Sequence, residues 1–184
     1  MCETCKAKEL AIVLNSGGVD STTAVGLAVD LYGKENVITV SAYYGQKHVT
    51  ELSSADKVAR YYGVEHMEVD LSQVFKYSNC SLLMDSTEEI RHESYAEQIA
   101  KDGEGMVSTY VPFRNGLFLS SAASIAISKE CNVIYYGAHS DDAAGFAYPD
   151  CSQDFVDYMN KAIYEGSGHQ LKLEAPFATF TKKD

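Results

Sequence analysis

Leu10-Ala11-Ile12-Val13-Leu14-Asn15-Ser16-Gly17-Gly18-Val19-Asp20-Ser21 is the stretch that decides the fold. Its opening run, residues 10–14, is short and apolar throughout, as in a strand buried on both faces, and it stops abruptly at Asn15-Ser16-Gly17-Gly18. From Val19 onward, Thr22, Thr23, Val25, Gly26, Val29 and Tyr32 recur mostly three or four residues apart, which predicts a helix over 19–32 closed by Gly33. Strand, loop and helix in this order place residues 15–18 where open α/β sheets bind ligands, at the carboxyl end of a strand.

Outward from this unit the pattern repeats, with a strand over 37–43, a helix over 49–62 ending at Gly63, and a strand over 65–69. Residues 72–108 are more polar and irregular; a helix near 92–100 and a turn at 102–105 are expected there, in what reads as a lid or insertion. Residues 117–128, rich in Leu, Ala, Ile and Ser, predict a buried helix, 133–136 a central strand, 154–164 a surface helix, and 171–175 a final strand closed by Pro176. Strands alternating with helices argue for α/β architecture: one domain over 1–184, with an open, doubly wound parallel sheet of about five strands flanked by helices.

With 184 residues, 46% of them hydrophobic, the chain can bury one sizeable core. No apolar run approaches the roughly 20 residues of a membrane span, and the start Met1-Cys2-Glu3-Thr4-Cys5-Lys6 has no apolar leader, so a cytoplasmic protein without membrane contact is expected. Five cysteines, an odd number unevenly spread, suggest reduced thiols rather than a disulfide framework. A formal charge of −11 argues against direct nucleic-acid binding, because phosphate backbones are held mainly by Lys and Arg.

The loop itself carries the chemistry. Paired Gly17 and Gly18 let successive backbone N–H groups curve around an anion, the following helix adds its positive end, and Ser16, Ser21 and Thr22 offer hydroxyl donors. Neither G-x-x-x-x-G-K-[ST] nor G-x-G-x-x-G occurs, so the two better-known phosphate loops are excluded. Asp20 would repel a phosphate unless a divalent cation lay between them, which predicts magnesium bridging Asp20 and a departing pyrophosphate.

Ser16-Gly17-Gly18-Val19-Asp20-Ser21 resembles the signature of the ATP-pyrophosphatase enzymes, of the adenine nucleotide alpha hydrolase-like fold, which adenylate a carboxyl, carbonyl or amide oxygen. Tyr44-Gly45-Gln46-Lys47-His48, Val111-Pro112-Phe113-Arg114-Asn115 and Tyr148-Pro149-Asp150-Cys151 are similar to strings of the 7-cyano-7-deazaguanine synthase branch. That resemblance implies conversion of 7-carboxy-7-deazaguanine, ammonia and ATP to a nitrile precursor of queuosine and archaeosine, by a homodimer. Other ATP-pyrophosphatase enzymes, tRNA-thiolating or amide-forming, and a non-catalytic ATP- or AMP-binding module are the competing readings.

For ATP, the resemblance implies Leu14, Ser16, Gly17, Gly18, Val19 and Asp20, together with Ser21, Thr22, Tyr43, Gly137 and His139. For the deazaguanine acid it implies Tyr44, Gln46, Arg114, Asn115, Asp142, Asp150 and Cys151, with Asp20, Arg114 and Lys182 catalytic. Arg114 can clamp a phosphate or carboxylate or serve a structural ion pair, and Lys183 competes with Lys182. Asp150 suits the amino and ring N–H groups of a guanine-like base, and Asp142 magnesium or substrate. His139 has no Ser or Cys partner identifiable by spacing and is assigned no catalytic step; the same holds for His48, His66, His92 and His169. Members of the branch usually carry a C-terminal four-cysteine zinc site, whose cysteines are not among these 184 residues; residues 180–184 read as the opening of a truncated helix, and Cys2 and Cys5 alone are too weak a signal for a zinc prediction.

Overall fold

The computed structural model describes residues 9–47, 50–90, 95–103 and 105–181. Ala11, Ile12 and Val13 are fully buried, which puts β1 (Ala11–Leu14) in the middle of the sheet with helices over both faces. Helix α1 (Val19–Tyr32) ends at Gly33, whose φ of +81° turns its N–H back onto the Val29 carbonyl. There follow β2 (Val37–Tyr43), α2 (Thr50–Tyr62), β3 (Glu65–Asp70), the short α3 (Ser72–Phe75), α4 (Tyr95–Asp102), α5 (Arg114–Ser128), β4 (Val133–Tyr135), the short α6 (Ser140–Ala143), α7 (Gln153–Gly166) and β5 (Lys172–Glu174).

All five strands are parallel, in the order β3-β2-β1-β4-β5. Ile12 pairs with Ile38 on one side and Ile134 on the other, and this row faces α5 through Leu119 and α7 through Ile163. The alternate residues Ala11 and Val13 face the opposite way, onto Val25 and Ala28 of α1, so each face of the sheet has its own apolar cluster. Strand order reverses between β1 and β4, which opens a crevice beyond their carboxyl ends. Among the described residues, no helix is long and apolar enough to cross a membrane.

Two elements depart from the sequence expectation. Helix α5 begins at Arg114 rather than at the apolar run from 117, so Arg114 and Asn115 belong to its first turn instead of preceding it. Phe113, at the N-cap, has φ +53° and offers no side-chain cap; Asp150 Oδ2 accepts from the Asn115 N–H instead, at 2.9 Å. Helix α7 starts at Gln153, because Ser152 accepts from the Phe155 N–H at 3.1 Å. Within 72–108, Phe75, Cys80 and Leu83 pack with Tyr44 and Val111 in a third cluster, tied to the end of β2 by a Gln46–Leu83 bridge. The expected helix near 92–100 is α4, and residues 91–94 lie outside the described residues.

Candidate active site

The loop after β1 is braced by a residue that sequence reading passed over. Asn15, 2% exposed, donates from Nδ2 to the Ala55 carbonyl at 3.0 Å and accepts from the Gly17 N–H at 2.9 Å. Gly17 has φ +76°, and a Cβ there would lie 2.6 Å from the Ala55 nitrogen, so the loop lies directly on the first turns of α2. Ser21 Oγ donates to the Gly18 carbonyl at 3.1 Å and accepts from the Ser16 N–H at 3.2 Å, closing the turn. The result is a rigid, hydroxyl-rimmed cradle at the amino end of α1, suited to an anion.

The loop after β4 forms the facing wall. A Cβ on Gly137 would come within 3.1 Å of the Ser21 nitrogen, so only glycine allows this approach without displacement. Asp20 and Asp142 both reach the buried His139, whose Nε2 lies 3.5 Å from Asp20 Oδ2 and 3.1 Å from Asp142 Oδ2. Loop and wall thus bring together two carboxylates far apart in sequence.

The third side is the amino end of α5. Arg114 Nη1 donates to the Tyr44 hydroxyl at 3.0 Å, and its guanidinium carbon lies 5.2 Å from the Tyr44 ring centre. Burial disfavours charge on Arg114, but Tyr44, Asp150 and Tyr136 outweigh it and raise its pKa. Burial likewise raises the Tyr44 pKa, against the pull of Arg114. Asn115 Nδ2 donates to Cys151 Sγ at 3.2 Å, and the Tyr136 hydroxyl donates to the Asp150 carbonyl at 3.2 Å. Burial drives the Cys151 thiol up to about 12, leaving a neutral sulfur in the wall.

These walls enclose a cavity of about 380 Å³. Leu14, Ser16, Gly18, Asp20, Ser21 and Gly137 line its loop side; Tyr44, Gln46, Arg114, Asn115, Asp142 and Cys151 line the rest. Val19, Thr22 and Tyr43 are not on the lining: Val19 is 81% exposed, and the Tyr43 hydroxyl points to Met84 Sδ at 3.7 Å. Gly17 is the point where the loop lies against α2 and does not line the cavity, and His139 and Asp150 stand behind the walls. Gln46 uses both ends of its amide on backbone, accepting from the Tyr44 N–H and donating to the Ala42 carbonyl. Lys182, Cys2, Cys5, His48 and His92 lie outside the described residues.

Lining residues not anticipated include Asn15, Ser41, Glu51, Leu82, Phe118 and Tyr148. Tyr148 had a signal in its own Tyr-Pro-Asp-Cys string; Leu82 and Phe118 had none, because their place depends on how Phe75, Cys80 and Leu83 pack against Tyr44 just beyond β2. Among the described residues, no three His, Cys, Asp or Glu side chains form a ready-made metal cage, and the cysteines there, Cys80, Cys131 and Cys151, are free and buried.

An open parallel sheet with a glycine loop at its switch point is the frame of nucleotide-binding α/β proteins, and the chain has the adenine nucleotide alpha hydrolase-like fold. The solved U34-tRNA thiolase NcsA of Methanococcus maripaludis shares the fold at TM-score 0.58, over 97% of this chain and 55% of that one; at 17% identity the likeness concerns fold alone. Residues 10–184 match the family of queuosine biosynthesis protein QueC, and the chain belongs to that family. It is 37% identical over 179 residues to the 7-cyano-7-deazaguanine synthase of Oceanobacillus iheyensis, covering 95% of this chain and 75% of that protein. To the enzyme of the same name from Archaeoglobus fulgidus it is 34% identical over 175 residues, covering 95% and 69%.

Proposed function

We propose that this chain is an ATP-dependent ligase that converts 7-carboxy-7-deazaguanine and ammonia to 7-cyano-7-deazaguanine, releasing AMP and pyrophosphate. One observation carries the reading: a single cavity has the anion cradle at one side and Arg114, Asn115 and Cys151 at the other, in a chain whose relatives bear that enzyme's name.

In the first half-reaction the substrate carboxylate attacks the α-phosphate of ATP, and ammonia then displaces AMP to leave an amide. In the second, another ATP adenylates the amide oxygen, and loss of AMP yields the nitrile. Each half needs a substrate oxygen placed in line with the α-phosphorus of an ATP bound in the same position, so one site serves both. The N–H groups of the first turn of α1, with the Ser16 hydroxyl, hold the departing diphosphate, since the Ser16 and Gly17 N–H groups are taken up inside the loop by Ser21 Oγ and Asn15 Oδ1. Arg114, steadied by Tyr44, clamps the reacting carboxylate and the α-phosphate; Lys182 is proposed to add a second cation. Leu14 and Gly137 border the nucleotide, while Tyr44, Gln46, Asn115 and Cys151 border the base, with Asp150 acting through Asn115.

The described lining carries Asp20, Glu51 and Asp142 against the cation Arg114, so a triphosphate enters favourably only with positive charge of its own. Magnesium fits, since it takes one or two carboxylates, phosphate oxygens and water rather than a protein cage. Asp20, with Asp142 beside it, would hold the ion, which neutralises charge on the leaving diphosphate when bound. We place the enzyme in the cytoplasm as a homodimer; light scattering showing only monomer at micromolar concentration argues against the dimer.

The test is incubation of the protein with 7-carboxy-7-deazaguanine, ammonia, magnesium and ATP, read by mass spectrometry. Nitrile and AMP are expected, and their absence from folded protein refutes the function.

A further inference from the structure

Behind the cavity wall, where α6 begins, His139 is 2% exposed, and among the described residues neither of its ring nitrogens makes a directed hydrogen bond. A buried imidazole without such partners weakens a fold, so its contacts should explain why it is there. Its contacts include two carboxylate oxygens: Nε2 lies 3.1 Å from Oδ2 of Asp142 and 3.5 Å from Oδ2 of Asp20, close enough for attraction without forming a directed hydrogen bond.

The carboxylates come from separate elements, Asp20 from the first turn of α1 and Asp142 from α6. Two like charges this close repel unless positive charge or a donor stands between them. Backbone packing sets the loop that leads into α6 against the first turn of α1, since a Cβ on Gly137 would fall 3.2 Å from the carbonyl carbon of Asp20 and 3.1 Å from the nitrogen of Ser21. The imidazole lies within 3.5 Å of both carboxylates, and Asp20 and Asp142 line the cavity whereas His139 does not.

We propose that His139 is a positioning residue for a divalent cation: from behind the wall it holds Asp20 and Asp142 as a pair facing the phosphate loop, so that both engage the metal that accompanies ATP. The tautomer bearing hydrogen on Nε2 attracts both oxygens, and its hydrogen needs only a small turn of either carboxylate to become a directed bond. His139 does not ligate the ion, and it touches neither nucleotide nor base.

The inference rests on the metal-dependent part of the proposed function, but its test uses no deazaguanine. Manganese serves as the probe, with α,β-methylene-ATP as the nucleotide, and free and bound ion are read by electron paramagnetic resonance. Gln places an amide nitrogen where Nε2 stands, whereas Asn reaches only the Nδ1 position. H139Q is therefore expected to hold manganese within about threefold of wild type, and H139N and H139A to bind it roughly ten- to a hundredfold more weakly. Adding D142N to H139N should cost little more than either change alone, because both remove one coupled arrangement.

Manganese bound normally by folded H139N or H139A overturns the proposal, as does H139Q failing as badly as H139N, which is the signature of packing alone. Wild type that binds no manganese with the analogue also overturns it. If H139A does not fold, the comparison of H139Q with H139N decides. A normal manganese pattern without nitrile synthesis would refute the substrate assignment and leave this inference standing.

Discussion

Asp150 Oδ2 accepts a 2.9 Å hydrogen bond from the backbone N–H of Asn115, capping α5 from 35 positions away in sequence. The bond joins the turn at Pro149–Cys151, just before α7, to the helix end that carries Arg114, and so fixes one side of the cavity. Removing the acceptor by Asp150→Ala leaves a buried N–H unpaired and should lower stability by about 1–3 kcal/mol, measured by denaturant unfolding.

The same carboxyl group makes a pH prediction. Burial raises the Asp150 pKa above its ordinary value of 3.8, against the Asn115 hydrogen bond and the charge of Arg114. The folded state therefore holds the proton more tightly than the unfolded chain; this contribution is fully present below 3.8 and is lost as pH rises through the higher folded value. The stability of wild type relative to Asp150→Asn should fall as pH is raised from about 4 towards neutrality. A difference that stays flat across that range would contradict the assignment.

Arg114 and Tyr44 separate charge from anchoring. Arg114→Lys keeps a cation but loses the planar fork, and AMP formation should drop on the order of a hundredfold. Tyr44→Phe removes only the hydroxyl that steadies the guanidinium, and a loss of about tenfold or less is expected. Steady-state kinetics on both variants tests the ranking, and a larger loss in Tyr44→Phe would reverse the roles.

Gly17→Ala tests the rigidity of the cradle. The new methyl would meet Ala55 backbone nitrogen at 2.6 Å in a residue with φ +76°, so strain and clash act together. A loss of roughly 2 kcal/mol or more in thermal or denaturant unfolding is expected, with weakened ATP binding. Unchanged binding and stability would mean that the loop has room to move.

Asp20→Ala should abolish AMP formation while leaving the melting temperature nearly unchanged, because the Asp20 side chain is 35% exposed at the start of α1. Cys151, with its thiol raised to about 12 by burial, should resist iodoacetamide at about pH 8 in the folded enzyme and react once urea exposes it. Peptide mass mapping reads the second outcome, and rapid native alkylation would contradict it.

How much of this was legible in the sequence differs between elements. Helix α1 and strand β2 occupy the residues that periodicity indicated, because their apolar spacing and the closing Gly33 are properties of neighbouring residues. The early start of α5 was not legible: its cap is Asp150, and nothing near Phe113 reports that acceptor. Pairing Asp20 with Asp142 required knowing that β1 and β4 are neighbours, which places the loops that follow them side by side.

Sequence by itself determined the alternating α/β class, the buried first strand, and the glycine loop that opens onto α1, since periodicity and backbone freedom are written locally. Only the tertiary structure decided that Asn15 braces the loop, that Leu82 and Phe118 close the cavity, and that His139 stands behind two acidic groups. These relationships arise from long-range packing, in which residues distant in the chain must fill one interior together, and no local pattern encodes which of them will meet.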